Sequence, residues 1–234
     1  MVAGKIAPSL RTPHVAATCA RFGRRLRDWY RTHARDLPWR NTRDPYRVLV
    51  SELMLQQTQV SRVLDYYARF LERFPTLEHL AAARAGRVME AWDGLGYYAR
   101  ARNLHQLARS VTREGGDGTL PSEPVELRKL PGIGAYTAGA VASFAYERRA
   151  AVVDTNVARV LSRVFAPRLN PKRPRDLKRL WVIAERLLPR TGTAAWEHNQ
   201  AVMELGAVVC TARVKRCGEC PVSAVCRTYR MEQR

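Results

Sequence analysis

The spacing of apolar residues is the feature that most limits the folds open to this chain. Along most of its 234 residues, apolar side chains recur three and four positions apart, and no segment alternates convincingly with period two. The first pattern is typical of amphipathic helices, whereas half-buried strands require the second. We therefore predict an all-α protein. The expected helices lie at about 19–34, 45–60, 61–73, 76–83, 86–93, 97–114, 123–129, 135–146, 155–165, 175–188, 194–208 and 221–230.

The charge balance indicates a polyanionic partner. Lys and Arg total 40 against 21 Asp and Glu, which gives a formal net charge of +19 and a sequence pI of about 10.7. A chain this basic favours nucleic acid as its partner. No apolar run approaches the roughly 20 residues that a helix needs to cross a bilayer, so no membrane partner is expected.

The start of the chain and the cysteine distribution bear on the compartment. The first 27 residues contain no acid and several Arg. This composition fits an organelle transit peptide or, as we favour, a basic and poorly ordered tail over residues 1–18. Four of the five cysteines lie in the last 25 residues and Cys19 stands alone, which is not the distribution of a secreted disulfide scaffold. We expect a reducing, intracellular location in the cytoplasm, with the nucleoid.

The four clustered cysteines form a candidate metal site with the pattern C-x6-C-x2-C-x5-C. Zinc sites usually place two C-x2-C pairs farther apart, whereas four closely spaced thiolates also suit an iron–sulfur cubane. Chemistry alone leaves both open. Basic residues lie between the first two cysteines, and a loop held by metal at both ends can present them to a phosphate backbone; a solvated basic loop is the alternative. The ligands are Cys210, Cys217, Cys220 and Cys226, and the cations are Arg213, Lys215 and Arg216.

A glycine turn lies between two predicted helices at Leu130-Pro131-Gly132-Ile133-Gly134. Two glycines two positions apart let backbone amides point outward at the start of the next helix, where an anion can bind. Such a turn is a weak signal by itself, since many helical hairpins carry one without a ligand. The apolar side chains of Leu130 and Ile133 are expected to pack the hairpin.

Two acidic residues have contexts that suit catalysis. Glu52 lies in an apolar and amide-rich stretch, where a carboxyl group is costly unless it is paired or neutral. Asp154 follows an apolar run and precedes a predicted helix. Each also has an ordinary interpretation, because Glu52 can lie on the exposed face of an amphipathic helix and Asp154 can be an N-cap.

Four ordered segments carry a family resemblance that covers about residues 36–228. They are S-E-L-M-L-Q-Q-T-Q-V at 51–60, G-L-G-Y-Y-A-R-A-R-N at 94–103, L-P-G-I-G-A-Y-T-A-G-A at 130–140 and V-D-T-N-V-A-R-V at 153–160. Together they closely resemble the MutY adenine glycosylases of the helix-hairpin-helix (endonuclease III) superfamily. The cysteine spacing resembles the [4Fe-4S] loop of the same enzymes, and the glycine turn resembles their DNA phosphate grip.

The resemblance implies roles for the acidic residues. Glu52 resembles the general acid that protonates N7 of a flipped adenine, and Asp154 resembles the carboxylate that stabilises or traps the sugar cation. Asn156 resembles a residue that supports the aspartate. This division of labour is chemically coherent, because loss of a purine leaves positive charge on the sugar while the base needs a proton.

The resemblance also implies contacts to DNA and to the extruded base. Gln57 and Tyr97 resemble side chains that wedge into the base stack, and Gly132 and Gly134 would hold a phosphate. Trp39 has core packing as an equally weighted alternative, and Glu204 is a weaker assignment than Gln200. The remaining expected contacts are Leu37, Trp39, Arg40, Gln56, Thr58 and Gln200.

Tyr136 distinguishes this chain from lyase relatives. Bifunctional members carry after the hairpin a Lys that attacks the sugar through a Schiff base, and here the position is Tyr136 while Lys129 precedes the hairpin. The resemblance therefore implies a monofunctional glycosylase that leaves an abasic site. A Tyr at this place also resembles thymine-mismatch glycosylases.

The resemblance implies a fold of two helical lobes with the active-site cleft between them. One is a six-helix lobe at 38–148 that contains the hairpin, and the other is an iron–sulfur lobe built from 19–37 and 149–234.

MutY proteins continue into a Nudix-like domain that reads 8-oxoguanine, and this sequence ends at Arg234. Adenine opposite guanine is then a safer substrate assignment than adenine opposite 8-oxoguanine. We expect a monomer that binds mismatched double-stranded DNA without a nucleotide cofactor. The alternatives are a G:T or G:U glycosylase of the same superfamily and a non-catalytic iron–sulfur DNA-binding module.

Overall fold

The computed structural model describes residues 13–113 and 118–234, with side chains described from residue 16. Helices are the regular structure throughout these residues, and one isolated bridge pairs Cys210 with Lys215. In chain order the α-helices are α1 (Pro13–His33), α2 (Pro45–Leu55), α3 (Val60–Arg73), α4 (Leu77–Ala82), α5 (Ala85–Ala91), α6 (Ala99–Val111), α7 (Pro124–Leu127), α8 (Ala135–Phe144), α9 (Thr155–Phe165), α10 (Pro174–Leu187), α11 (Gly192–Val208) and α12 (Arg227–Glu232). Short 3-10 helices cover Pro38–Arg40 and Ser223–Val225.

The predicted all-α class is confirmed, and three predicted helix boundaries are wrong. The helix expected over 45–60 ends at Leu55, because the chain turns at Gln57, where φ is +56°. The helix expected over 221–230 is two pieces that meet at Cys226. The first helix begins at Pro13 rather than at 19, so the expected tail over 1–18 is helical from Pro13 onward, and its residues 1–12 lie outside the described residues.

The chain divides into two compact units. We call Asp36–Val152 the hairpin unit, and the described residues up to Arg35 together with Val153–Arg234 the cysteine unit. Within its described residues, 36–113 and 118–152, the hairpin unit holds α2–α8, of which α7 is a single turn. Across the described part of the chain, no helix is both long and apolar enough to span a membrane.

The hairpin unit is centred on α2, which packs against α3, α6 and α8. The helix begins where Asp44 accepts hydrogen bonds from the amides of Tyr46 and Arg47, and Pro45 fills the first helical position. Farther from this start, Phe70 packs edge-to-face on the buried ring of Trp92 with centroids 5.7 Å apart. The core therefore surrounds α2 on several sides.

The cysteine unit is built on α1, α9 and α11, with α11 packed against the other two. Phe22 of α1 lies edge-to-face on Phe165 at 5.0 Å and on His198 at 6.0 Å. Burial, with Arg27 nearby, lowers the pKa of His198 to about 3. This histidine is therefore a neutral core residue at neutral pH.

A glycine allows a close backbone approach within the hairpin unit. A Cβ built on Gly139, in the middle of α8, would lie 2.3 Å from the carbonyl oxygen of Ala151. Because the obstacle is backbone, no side-chain rotation can relieve the overlap. The segment at Ala151 therefore depends on the absence of a side chain on this face of α8.

We expect Gly139→Ala to lower the free energy of unfolding by about 1–3 kcal/mol, measured by urea denaturation. The control is Gly86→Ala, because Gly86 lies in α5 and a Cβ added there would have no neighbour within 4 Å. That change should leave stability unchanged or raise it by up to about 1 kcal/mol. Equal effects of the two substitutions would contradict the packing argument.

Candidate active site

Glu52 is a buried carboxylic acid on α2, with only 3% of its surface exposed. Its neighbours along the helix, Leu53 and Met54, are buried apolar residues. The Tyr136 hydroxyl, from the second residue of α8, donates a hydrogen bond of 2.5 Å to Glu52 Oε2. Because an unpaired buried carboxyl group is costly, this hydrogen bond offsets part of the cost of burying Glu52. The exposed-face interpretation of Glu52 is wrong.

The segment after Glu52 leaves the helix through a left-handed turn. Gln57 has φ +56°, and its side chain is exposed. On one side of it, the Gln56 amide donates to the Thr137 hydroxyl of α8 at 3.3 Å. On the other, the Thr58 backbone amide bonds to the Leu55 carbonyl at 3.4 Å. The three polar residues predicted here thus share one turn, and Gln57 is its outward residue.

The loop before α6 has the same backbone feature at Tyr97. Its φ is +46°, and 59% of its surface is exposed. The neighbouring Tyr98 hydroxyl donates to Asp93 Oδ1 at 2.5 Å, and this bond raises the pKa of Tyr98. Tyr97 is therefore the more outward of the two tyrosines, and Tyr98 is tied to its own loop.

The glycine turn forms the predicted hairpin between α7 and α8. Gly132 has φ +75°, and a Cβ there would lie 2.6–2.9 Å from side-chain atoms of Asn103. Gly134 occupies the N-cap of α8 without a side-chain cap and is exposed, whereas Ile133 is buried. The first amides of α8 thus begin at an exposed turn, which is the geometry that binds anions.

The residues of the Leu37–Arg40 segment lie at the start of the hairpin unit. Leu37 and Trp39 are buried, and Arg40 is partly exposed. The indole of Trp39 packs edge-to-face on Tyr67 at 5.4 Å. The structure therefore gives Trp39 the core contact that was one of its two predicted roles.

Asp154 is the N-cap of α9, and it is held by several donors. Its Oδ1 accepts from the Val157 amide at 2.6 Å, and its Oδ2 accepts from Asn156 Nδ2 at 3.0 Å. Burial nevertheless outweighs these bonds and raises the pKa of Asp154 above its ordinary value. The capping interpretation is confirmed, and it leaves the carboxylate with a costly charge.

The two polar residues predicted on α11 differ in their surroundings. Gln200 is buried. Glu204 is fully buried and forms a two-point ion pair with Arg35, with Nε–Oε1 at 2.7 Å and Nη2–Oε2 at 3.0 Å. This geometry is typical of a structural ion pair, which agrees with the weaker assignment predicted for Glu204.

The four clustered cysteines line one cavity of the cysteine unit. Its lining contains no carboxylate or imidazole, and three cations, Arg163, Lys215 and Arg216, border it. Burial raises the pKa of Cys220 to about 11 and also raises that of Cys226. Within residues 13–113 and 118–234, no group of three or more His, Cys, Asp or Glu side chains is gathered closely enough to hold an ion. The cavity thus has a donor set that suits a thiol-ligated group.

The cations of the cysteine loop have different surroundings. Lys215 forms an ion pair with Glu232 of α12. Arg216 donates to the Val208 carbonyl at 2.9 Å, and Arg213 is exposed. Of the three predicted phosphate contacts, two thus have partners within the protein.

A comparison with known protein families decides the family. Residues 50–185, more than half of the chain, match the family described as HhH-GPD superfamily base excision DNA repair protein. The chain belongs to this superfamily. The segments around Glu52, the glycine turn and Asp154 all lie within the matched residues.

Relatives and solved structures of the HhH-GPD superfamily extend the similarity. The chain is 45% identical over 222 residues to the adenine DNA glycosylase of Mus musculus, an alignment covering 91% of this chain and 42% of that protein. A thermostable thymine-DNA glycosylase structure superimposes with a TM-score of 0.82 at 31% identity, covering 92% of this chain and 98% of the other. A trapped endonuclease III–DNA intermediate shares the fold at 23% identity, with a TM-score of 0.77 and coverage of 95% and 99%. The chain thus spans about two fifths of the length of the mouse relative.

Arg159 supports the Asp154 region, and it was not among the site residues predicted from the sequence. Its Nη2 donates to Asn156 Oδ1 and to the Gly206 carbonyl, both at 2.7 Å, and its Nε donates to the Cys210 carbonyl at 2.9 Å. The close approach needs Gly206, because a Cβ there would lie 2.7 Å from Asn156 Cβ. Arg159 lies in the V-D-T-N-V-A-R-V segment, but it is one of 40 basic residues. Nothing in the sequence indicates that it bonds to Asn156 and to two backbone carbonyls.

The raised pKa of Asp154 predicts how stability changes with pH. Its folded pKa lies above its ordinary value of 3.8, so the contribution of Asp154 is fully present at lower pH and is lost as pH rises through the folded pKa. Asparagine also caps helices and does not titrate. We therefore expect Asp154→Asn to become increasingly stable relative to wild type as pH rises from about 3 to about 7. The measurement is the free energy of unfolding of both proteins across this pH range. A stability advantage of Asp154→Asn that shrinks as pH rises would contradict the prediction.

Proposed function

We propose that this chain is a DNA glycosylase that removes adenine from mispaired double-stranded DNA. The observation that carries the proposal is the buried Glu52 carboxyl group with the Tyr136 hydroxyl at 2.5 Å, because a shielded acid is what protonation of a departing base requires. The 45% identity to a mouse adenine DNA glycosylase supports adenine as the base. Because the chain spans 42% of that relative, the activity of the whole relative is itself part of the proposal.

The two acids divide the chemistry between the base and the sugar. Glu52 gives its proton to N7 of adenine, which makes the base a neutral leaving group as the bond from C1′ to N9 breaks. The electron pair of that bond leaves with the base, and positive charge develops on the sugar. Asp154, whose charge the Val157 and Asn156 donors partly stabilise against burial, stabilises this positive charge in its ionised form until water adds to C1′ and loses a proton. One buried acid and one hydrogen-bonded carboxylate are a recurrent arrangement for such chemistry.

The side chain at Tyr136 argues for hydrolysis without strand cleavage. A Schiff base requires an amine, and the residue that follows the hairpin presents a phenol already bonded to Glu52. Lys129, before the hairpin, is exposed and paired with Glu126 at 2.6 Å. The proposed product is therefore an abasic site in an intact strand.

We assign the contacts to the DNA backbone and base stack to those predicted site residues that are exposed. Gln57 and Tyr97, outward on left-handed turns, would enter the base stack as adenine leaves it. The α8 amides at Gly132 and Gly134 would bind a phosphate, as would Arg213. The endonuclease III–DNA complex of the same fold supports DNA as the partner. The remaining proposed contacts to the base or its rim are Leu37, Trp39, Arg40, Gln56, Thr58 and Gln200.

We assign a [4Fe-4S] cluster to the cysteine cavity. Its candidate ligands are the four cysteines that line it, and the bordering cations would offset the negative charge of a thiolate-ligated cluster. Burial disfavours the free thiolates of Cys220 and Cys226, so a bound metal would have to displace their protons. The proposed role of the cluster is structural, and the proposed mechanism of base removal does not use it.

A second candidate function is removal of thymine or uracil opposite guanine. The observation that favours it is the thymine-DNA glycosylase structure, of which this chain covers 98% at 31% identity. The Tyr136 position is compatible with either base. A non-catalytic DNA-binding role is the least favoured, because Glu52 and Asp154 are both present in environments that suit chemistry.

A panel of duplexes with A:G, A:8-oxoguanine, T:G and U:G mispairs tests the substrate. We expect release of adenine and not of pyrimidines, and Glu52→Gln should slow adenine release at least about a hundredfold while duplex binding persists. Free base is measured by chromatography under single-turnover conditions. Release of thymine without adenine would reject the adenine assignment, and a normal rate in the Glu52→Gln protein would remove Glu52 from the acid role.

Borohydride trapping tests the absence of an amine nucleophile. We expect no covalent protein–DNA product when wild type and an A:G duplex react with borohydride, because Tyr136 cannot form an imine. The comparison is Tyr136→Lys, which places an amine at that position. Efficient trapping of wild type would overturn the monofunctional assignment.

Metal analysis tests the cysteine cavity. We expect about four iron atoms per chain and matching sulfide after anaerobic purification, with iron reduced in Cys220→Ala. Cys19→Ala is the matched control, because Cys19 lies on α1 and is not one of the residues that line the cavity. This variant should retain the wild-type iron content. One zinc per chain without iron would replace the cluster by a zinc site.

A further inference from the structure

Arg100 is a buried cation in the first turn of α6. Only 7% of its surface is exposed, and burial lowers the pKa of its guanidinium. Removing this charge from water is costly unless its donors are satisfied. Its hydrogen-bond acceptors are neutral oxygens of the hairpin unit, and they come from two separate segments.

The first set of acceptors belongs to the last turn of α2 and to the turn that follows it. Arg100 Nη1 donates to the carbonyl oxygens of Leu53 at 2.9 Å, Met54 at 2.8 Å and Gln56 at 2.5 Å. Both terminal nitrogens lie 3.2 Å from the Thr58 hydroxyl oxygen. The guanidinium thus satisfies carbonyls that are left open where a helix ends.

The second set of acceptors belongs to the loop that precedes α6. Arg100 Nη2 donates to the carbonyl oxygens of Leu95 at 3.1 Å and Gly96 at 3.0 Å. The guanidinium also lies 5.4 Å from the ring centroid of Tyr97 and 5.5 Å from that of Trp92. The Trp92 indole donates to the same Gly96 carbonyl at 3.3 Å, which fixes that peptide from a second direction.

The two bound segments share a rare backbone feature. The Gln56 carbonyl immediately precedes Gln57, with φ +56°, and the Gly96 carbonyl immediately precedes Tyr97, with φ +46°. Residues with a side chain avoid this left-handed region unless their surroundings hold them there. Of the three non-glycine residues with positive φ in the described chain, two directly follow a carbonyl bound by this one guanidinium.

We propose that Arg100 is a positioning residue that holds Gln57 and Tyr97 in their left-handed turns as a paired wedge for base extrusion. This rests on the proposed glycosylase function, in which these two outward side chains enter the base stack. Arg100 acts through the backbone of both turns and does not touch the reacting atoms. Its planar fork can serve both turns at once, whereas a lysine has three donors at a single point.

The test uses Arg100→Lys with Arg102→Lys as the matched control, because Arg102 is exposed on the same helix. Extrusion is followed by the fluorescence of 2-aminopurine in place of the target adenine, and chemistry by single-turnover adenine release from an A:G duplex. We expect Arg100→Lys to reduce both by about tenfold or more. Its affinity for a duplex already carrying an abasic-site analogue should change less than about threefold, because nothing remains to be extruded. Arg102→Lys should match wild type.

A double-mutant cycle separates positioning from a general structural role. If Arg100 acts through the wedge, Arg100→Lys should lose most of its effect on extrusion in a Gln57→Ala/Tyr97→Ala background. An equal loss in both backgrounds, or an equal loss of abasic-duplex affinity, overturns the proposal. Thr58→Val, which removes the shared hydroxyl acceptor, repeats the cycle if Arg100→Lys does not fold. A wild-type protein that releases no adenine from A:G would instead refute the proposed function, with 2-aminopurine extrusion still reporting on the wedge.

Discussion

The buried carboxyl group of Glu52 requires a polar partner, and the hairpin unit depends on the contact that supplies it. Glu52 lies among apolar residues of α2, and the Tyr136 hydroxyl that bonds to it comes from α8, immediately after the hairpin. The packing of α2 on α8 is therefore tied to a specific polar contact as well as to apolar burial. On the same helix, Gly139 lets the backbone near Ala151 approach α8 closely. Fold and candidate acid are thus supported by the same helix pair.

In the cysteine unit, structural and chemical roles coincide at single residues. Asp154 caps α9 and is also the candidate sugar-stabilising carboxylate, and its capping bonds offset part of the cost that burial adds to its charged form. Asn156, which donates to it, accepts from Arg159, whose guanidinium also reaches the Cys210 carbonyl. Because Asp154, Asn156 and Arg159 lie at the N-cap and in the first two turns of α9, the start of one helix orients the carboxylate.

Much of the architecture follows from local signals, and the exceptions have physical causes. Asp44 with Pro45, and Asp154, are capping signals in the sequence, and α2 and α9 begin there. The end of α2 was missed, because neither glycine nor asparagine marks the left-handed residue Gln57. Arg100 and Arg159 were missed because most of their partners are backbone carbonyls that only folding brings together. Motif resemblance indicated Glu52 and Asp154 as candidates, whereas the Glu204 ion pair with Arg35 depends on contacts between residues far apart in sequence.

The left-handed turns at Gln57 and Tyr97 are held by contacts within the hairpin unit itself. Their conformational cost is therefore met when the chain folds, and it does not recur at each encounter with a duplex. The proposed glycosylase would gain from such rigidity while it samples base pairs, because the time spent at each pair would then depend on how readily that pair opens. Weakly stacked mispairs would be sampled more often than intact pairs, so a first level of discrimination would come from the mechanics of the DNA itself.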